Sequence, residues 1–100
     1  MKSILILLLS LTCSSLLFAA NQTNNLRTGN GQLVTIGDSY TELVTRMDQS
    51  PLSMNSYEWK ENNNRTSIAM DYTYQIENTI YTVTVVNNRV QKIEWINKDI

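Results

Sequence analysis

The chain has 100 residues, 42% of them hydrophobic and 17% charged, with a formal net charge of −1, no histidine and one cysteine. The lack of histidine, and of cysteine beyond Cys13, excludes a Ser-His-Asp triad, a Cys-His pair and a zinc site of the usual ligands. Because there is neither a basic cluster nor a glycine-rich phosphate loop, we expect the protein to bind neither nucleic acid nor anionic membranes.

The first 20 residues have the three parts of a secretory signal peptide. Lys2 supplies a positive start, an apolar stretch follows from residue 4, and Ala19-Ala20 precede the polar run NQTNN. The alternative, a transmembrane anchor, is disfavoured because polar residues interrupt the apolar stretch, which falls short of the roughly 20 residues that span a bilayer. We predict export to the periplasm, cleavage near Ala19 or Ala20 with the exact bond left open, and no transmembrane helix in the mature chain.

Cys13 raises the possibility of a lipoprotein, whose lipidated cysteine becomes the first mature residue. Thr12 stands where a lipobox has Gly, Ala or Ser, and the apolar sequence LLFAA lies where a lipoprotein has a polar tether. We therefore interpret Cys13 as a small residue of the signal peptide and expect no lipidation.

Cleavage leaves about 80 residues, enough for one small domain. We predict that residues 21–26 form a disordered spacer and residues 27–100 a single α+β domain. The nine acidic residues have the spacing of caps, turns and solvated strand faces. We therefore expect no enzyme activity, and we assign no catalytic, cofactor-binding or metal-binding residue and no cofactor.

The first predicted elements are a short strand or arm over residues 32–36 and a helix that begins after Gly37-Asp38. Ser39 and Glu42 have the spacing of a capping box, in which each side chain bonds the backbone N–H of the other residue. The apolar stripe of the helix is Tyr40, Leu43, Val44 and Met47. We expect this stripe to face the core and the helix to end near Asp48, because Pro51 disfavours helical geometry at the residue before it.

The C-terminal half alternates between apolar and polar residues, which predicts antiparallel strands. Residues 68–76 form one such strand, and an earlier strand carries Tyr57 and Trp59. The last hairpin turns at Asn87-Asn88, a pair that tolerates the positive φ of a type I′ turn. A bulge between residues 89 and 91 would bring Val83 opposite Ile93 and Tyr81 opposite Trp95, so that apolar residues face each other.

These segments resemble a family of small exported bacterial proteins that carry a domain of unknown function. The resemblance lies in LRTGNGQLVTIGDSYTELVTRMDQSP, the Tyr/Trp strand and VTVVNNRVQKIEWI. The family pattern begins Arg-Cys-Gly, continues through Gly-Asp to a helix ending in Cys-Gly-x-Pro, and closes with an aromatic strand and a strand pair. The chain is more distantly similar to the BamE (SmpA/OmlA) fold. That similarity implies one short helix packed on a three- to four-stranded antiparallel meander sheet.

The chain departs from the family at both cysteines. Thr28 and Met47 stand in their places, and Asp48 replaces the following Gly. If those cysteines are bonded in relatives, the resemblance implies that Thr28 and Met47 lie close together. The loss of both cysteines is then expected, because a single remaining one would be a free thiol in an oxidising compartment.

Two hypotheses for function follow. The first is a periplasmic interaction module, in which a bare sheet edge or apolar patch binds an unidentified partner in the cell envelope or outer membrane. The second is a small ligand-binding or inhibitory module, in which an aromatic set lines a groove rather than the core. That set is Tyr57, Trp59, Tyr72, Tyr74 and Trp95. The sequence leaves the partner, the ligand and the oligomeric state open.

Overall fold

A computed structural model describes residues 20–62 and 64–98. The predicted signal peptide therefore lies, apart from Ala20, outside the described residues. The elements in chain order are β1 (Asn21–Thr23), β2 (Asn25–Arg27), β3 (Leu33–Thr35), α1 (Tyr40–Met47), β4 (Ser53–Lys60), β5 (Thr66–Ile76), β6 (Thr79–Val86) and β7 (Arg89–Asn97). This is the α+β class that the sequence predicts.

The main sheet is antiparallel and has the order β1-β7-β6-β5-β4, while β2 and β3 form a separate two-stranded sheet. Strands β4 to β7 are consecutive hairpins, as expected for a meander. The expected count of three to four strands is too low because β1 adds a fifth strand, pairing Asn21 with Trp95 and Thr23 with Ile93. Residues 21–26 are therefore not the disordered spacer that their polar composition predicts, since β7 supplies backbone hydrogen-bond partners for residues 21–23 and β3 for residues 25 and 26.

The last hairpin has the predicted register. Val83 lies opposite Ile93, and the register shifts by one residue between Thr84 and Val85, which leaves Gln91 as the extra residue of a β-bulge. Asn87 and Asn88 have φ values of 53° and 66°, as the predicted turn requires.

The helix begins and ends where its caps predict. The Ser39 hydroxyl accepts a hydrogen bond from the Glu42 N–H at 3.1 Å, and the Glu42 carboxylate accepts one from the Ser39 N–H at 2.8 Å. Asp48 ends the helix in the left-handed conformation, and its N–H donates to the Val44 carbonyl.

The segment before the helix pairs with the start of β7, and this fixes the position of the helix. Gly37 donates its N–H to the Val90 carbonyl, and the Val90 N–H donates to the Asp38 carbonyl, at 2.9 and 2.8 Å. Gly37 has a φ of 100°, which a residue with a Cβ adopts only under strain. The helix consequently packs on β3 and β7.

The core lies between the helix, the two-stranded sheet and one face of the main sheet, here called the helix face. Its buried residues are Leu26, Val34, Leu43, Met47, Tyr72, Tyr74, Val83, Val85, Val90 and Ile93. The helix stripe is only partly buried, however, because Tyr40 and Val44 remain 39% and 45% exposed. The expectation that the whole stripe faces the core is therefore wrong, since α1 packs towards β3 and β7 rather than towards β4.

Candidate functional site: the free edge of the sheet

Strand β4 forms one edge of the main sheet. Among the described residues it pairs only with β5, so the backbone N–H and C=O groups on its other side have no strand partner. Six of its eight residues are exposed. The opposite edge strand, β1, has three residues. Natural proteins protect such edges with short strands, proline or charges. Glu58 and Lys60 provide charges at one end of β4, but its first five residues carry none.

Exposed apolar side chains border this edge on the helix face. Leu52, Met54 and Ile68 are 63%, 62% and 59% exposed. Residues directly opposite in an antiparallel pair point to the same face, and Met54 lies opposite the core residue Tyr72. We call Leu52, Met54, Ile68, Tyr40 and Val44 the edge patch.

Tyr72 of β5 lies between the helix and the edge strand β4. The ring of Tyr40 lies 5.4 Å from the ring of Tyr72, centroid to centroid, with an interplanar angle of 33°. Burial raises the pKa of the Tyr72 hydroxyl, and the neighbouring Tyr40 raises it further. The exposed residues Tyr40 and Met54 thus flank the buried ring of Tyr72, Tyr40 from α1 and Met54 from the free edge.

The five aromatic residues proposed as a groove do not share a face. Tyr57 lies opposite Ala69 and Trp59 opposite Ser67, so both point to the face away from the helix, here called the open face. The other three aromatic residues point to the helix face: Tyr72, Tyr74 and Trp95. The groove is therefore not formed as expected. Alternation along β4 predicts that Tyr57 and Trp59 are on one face but does not tell which face, because that depends on pairing with β5.

The middle of the open face holds a polar cluster that sequence reasoning missed. The Asp71 carboxylate accepts hydrogen bonds from the Thr84 hydroxyl at 2.6 Å and the Tyr57 hydroxyl at 3.1 Å. Thr84 is fully buried. Burial raises the pKa of the Tyr57 hydroxyl, the bond with Thr84 opposes that shift, and the charge of Asp71 adds to it. Because Thr84 is fully buried, its hydroxyl cannot reach a substrate, and the cluster holds the Tyr57 hydroxyl beside the sheet.

A cleft of about 650 Å³ lies at one end of the open face, between the end of β4 and the β6–β7 turn. Trp59, Glu61, Val86 and Gln91 are among its lining residues. The Ser67 hydroxyl donates to the Glu61 carboxylate at 2.7 Å. The cleft was not predicted, since neither the bulge at Gln91 nor the turn is close to Trp59 in the sequence.

Two kinds of site are absent from the described part of the chain. No group of three or more acidic or sulfur ligands could hold a metal ion there. Within the same residues, no helix has the length and apolar character needed to cross a membrane.

No family model, curated protein or solved structure matches the chain.

Proposed function

We propose that the protein is a non-enzymatic interaction module of the bacterial cell envelope, exported to the periplasm, and that it binds an extended strand of a partner protein along β4. The observation that carries the proposal is the eight-residue edge of β4, exposed and bordered by the edge patch. The resemblance to small exported proteins and to the BamE fold supports an envelope partner.

Strand addition suits this surface because the backbone supplies affinity and the neighbouring side chains supply specificity. The partner strand would pair with the free N–H and C=O groups of β4. Every second side chain of that strand would then point to the helix face, beside Met54 and Leu52. We therefore expect a partner segment with apolar residues at alternate positions.

Two lysine substitutions test the proposal. Met54→Lys places a charge on the proposed binding surface, while Ile96→Lys places the same charge on an apolar side chain that is 45% exposed on β7. The wild-type protein and both variants are used as bait in envelope extracts. We expect wild type and Ile96→Lys to capture the same partner, and Met54→Lys to lose it. Equal capture by all three proteins would contradict the proposal.

Amide hydrogen exchange distinguishes strand addition from docking of side chains alone. When the captured partner is added, exchange of the amides of β4 should slow, because their N–H groups become hydrogen-bonded. Protection confined to the helix, with β4 unchanged, would refute strand addition. A dimer of the protein alone, abolished by Met54→Lys in sedimentation, would instead identify a second copy as the occupant.

A further inference from the structure

The cleft at the end of the open face has the size of a small-molecule site and lies on the opposite face from the edge patch. Its volume, about 650 Å³, falls within the range of about 300 to 1,000 Å³ that such sites occupy. An occupant here would leave the edge patch on the helix face free, although Trp59 and Lys60 at the end of β4 belong to both sites.

The apolar part of the cleft is formed by the ring of Trp59. Trp59 is half-buried, so part of its ring faces the cleft. Val86 also lines the cleft but is only 1% exposed, so the Trp59 ring supplies nearly all of the apolar surface that a ligand could touch. This surface suits a ring with an apolar face.

The polar part of the cleft is held in place by the fold. Ser67 and Asn87 both donate to the same Glu61 oxygen, Oε2, at 2.7 and 3.4 Å. Asn87 is in the left-handed conformation of the β6–β7 turn, and Gln91 is the extra residue of the bulge. Bulges frequently re-aim a side chain beside a functional site. Here the bulge residue Gln91 lines the cleft.

The charges and hydrogen-bonding groups of the lining select the chemical class of ligand. The Lys60 side chain points to the helix face, as that of Met54 does, so Glu61 is the charged side chain at the cleft, and its Oε2 already accepts from Ser67 and Asn87. A phosphate would need an excess of cations, and an amine an excess of carboxylates. The carboxamides of Asn87 and Gln91 can each donate and accept, as can a hydroxyl group. The lining of the cleft therefore fits an uncharged ligand that carries several hydroxyl groups on a ring with an apolar face.

We propose that this cleft binds a pyranose ring of a neutral saccharide. The apolar face of the sugar stacks on Trp59. Its hydroxyl groups bond the carboxamides of Asn87 and Gln91 and the carboxylate of Glu61.

Titration with two neutral trisaccharides, chitotriose and maltotriose, tests the proposal by ¹⁵N–¹H NMR of the full mature chain. We expect saturable shifts at the Trp59 indole and at residues 86–91 with at least one of them. A difference in binding between chitotriose and maltotriose would show whether N-acetyl groups contribute to affinity. A concentration of about 50 mM would detect even dissociation constants above about 1 mM. No saturable shift with either sugar at that concentration would overturn the proposal.

Matched variants locate the site. Trp59→Ala should weaken binding about tenfold or more through loss of the stacking surface, and Gln91→Ala roughly threefold. Trp95→Ala alters the chain's other tryptophan, on the helix face, and should leave affinity unchanged. The spectrum without sugar verifies the fold of each variant. Unchanged affinity in both Trp59→Ala and Gln91→Ala would refute this site even if sugar binds elsewhere.

Discussion

The guanidinium of Arg46 lies 2.8 Å from the Asp38 carboxylate oxygen Oδ2, which also accepts a hydrogen bond from the Thr35 N–H at 2.9 Å. Asp38 precedes the helix, Arg46 is in its last turn, and Thr35 ends β3. Arg46 also donates to the Leu33 carbonyl at 3.3 Å. This pair therefore joins the strand, the Gly-Asp turn and the helix into one unit.

We predict that the two partners of this pair differ in their contribution to stability. Asp38→Ala should lower the free energy of unfolding by about 1 to 3 kcal/mol, because it also leaves the Thr35 N–H without its acceptor. Arg46→Ala should cost about 0.2 to 1 kcal/mol, since the side chain is one-third exposed and the ion pair is screened. Urea denaturation of both single variants and the double variant measures the coupling. A larger loss for Arg46→Ala would contradict this account.

The capping box should make stability depend on pH. The Ser39 backbone N–H lowers the pKa of the Glu42 carboxyl, desolvation opposes this, and Arg46 lowers the pKa further. The folded state therefore binds this proton less tightly than the unfolded state. The ionised Glu42 carboxylate therefore stabilises the folded state above its ordinary pKa of 4.5, and this stabilisation is lost as pH falls through the pKa of the folded state.

Glu42→Gln tests this dependence. The variant lacks the titrating carboxylate, so it should be less stable than wild type at about pH 7, and the difference should shrink at about pH 3. Denaturation curves at both values provide the measurement. A difference that stays constant between them would show that the charge of Glu42 does not stabilise the helix terminus.

Local signals account for the parts of the fold that could be predicted. The Ser39–Glu42 box depends on residues three apart, and the Asn87-Asn88 turn on adjacent residues. The bulge at Gln91 was predictable because only that register places Val83 opposite Ile93. These features need no information from distant parts of the chain.

The parts that could not be predicted depend on pairing between remote segments. The polar residues Asn21–Thr23 form a strand because β7 has a free side, which their own composition does not reveal. Trp59 lies on the open face because of its register with Ser67. Thr84 can be buried because its hydroxyl donates to Asp71, which lies opposite it on the neighbouring strand. The candidate surfaces are therefore properties of the assembled sheet.

The C-terminus of the helix offers a stabilising substitution. Asp48 has a φ of 54°, which costs less for glycine than for a residue with a Cβ. Asp48→Gly should raise the free energy of unfolding by about 0.5 to 1 kcal/mol, whereas Asp48→Ala should lower it. Thermal or urea denaturation distinguishes the two. If both substitutions change the free energy of unfolding in the same direction, backbone strain at residue 48 does not determine the effect.

The N-terminus provides a test of the proposed export. Mass spectrometry of protein recovered from the periplasm should give a mature chain that begins at Ala20 or Asn21. A diacylglyceryl group on Cys13 would instead identify a lipoprotein. An intact N-terminus in the membrane fraction would identify an uncleaved anchor.

The last prediction concerns the positions where the resemblance implies a cysteine pair. Thr28 and Met47 are both buried, 4% and 2% exposed. We predict that the double variant Thr28→Cys, Met47→Cys forms a disulfide, because the resemblance implies Cβ atoms near the 3.5 to 4.5 Å that the bond requires. Oxidation should raise the free energy of unfolding by roughly 2 to 4 kcal/mol relative to the reduced form, since it closes a loop of about 20 residues.

The two single variants serve as controls, and both should be less stable than wild type. Thr28→Cys loses the hydroxyl that accepts from the Gln32 N–H and donates to Asn30. Met47→Cys should cost more because it removes a larger side chain from the core. Denaturation with and without reductant separates the disulfide from these losses. If the double variant stays reduced under oxidising conditions while folded, the two positions are too far apart to bond, and the alignment with the cysteine-containing family fails with them.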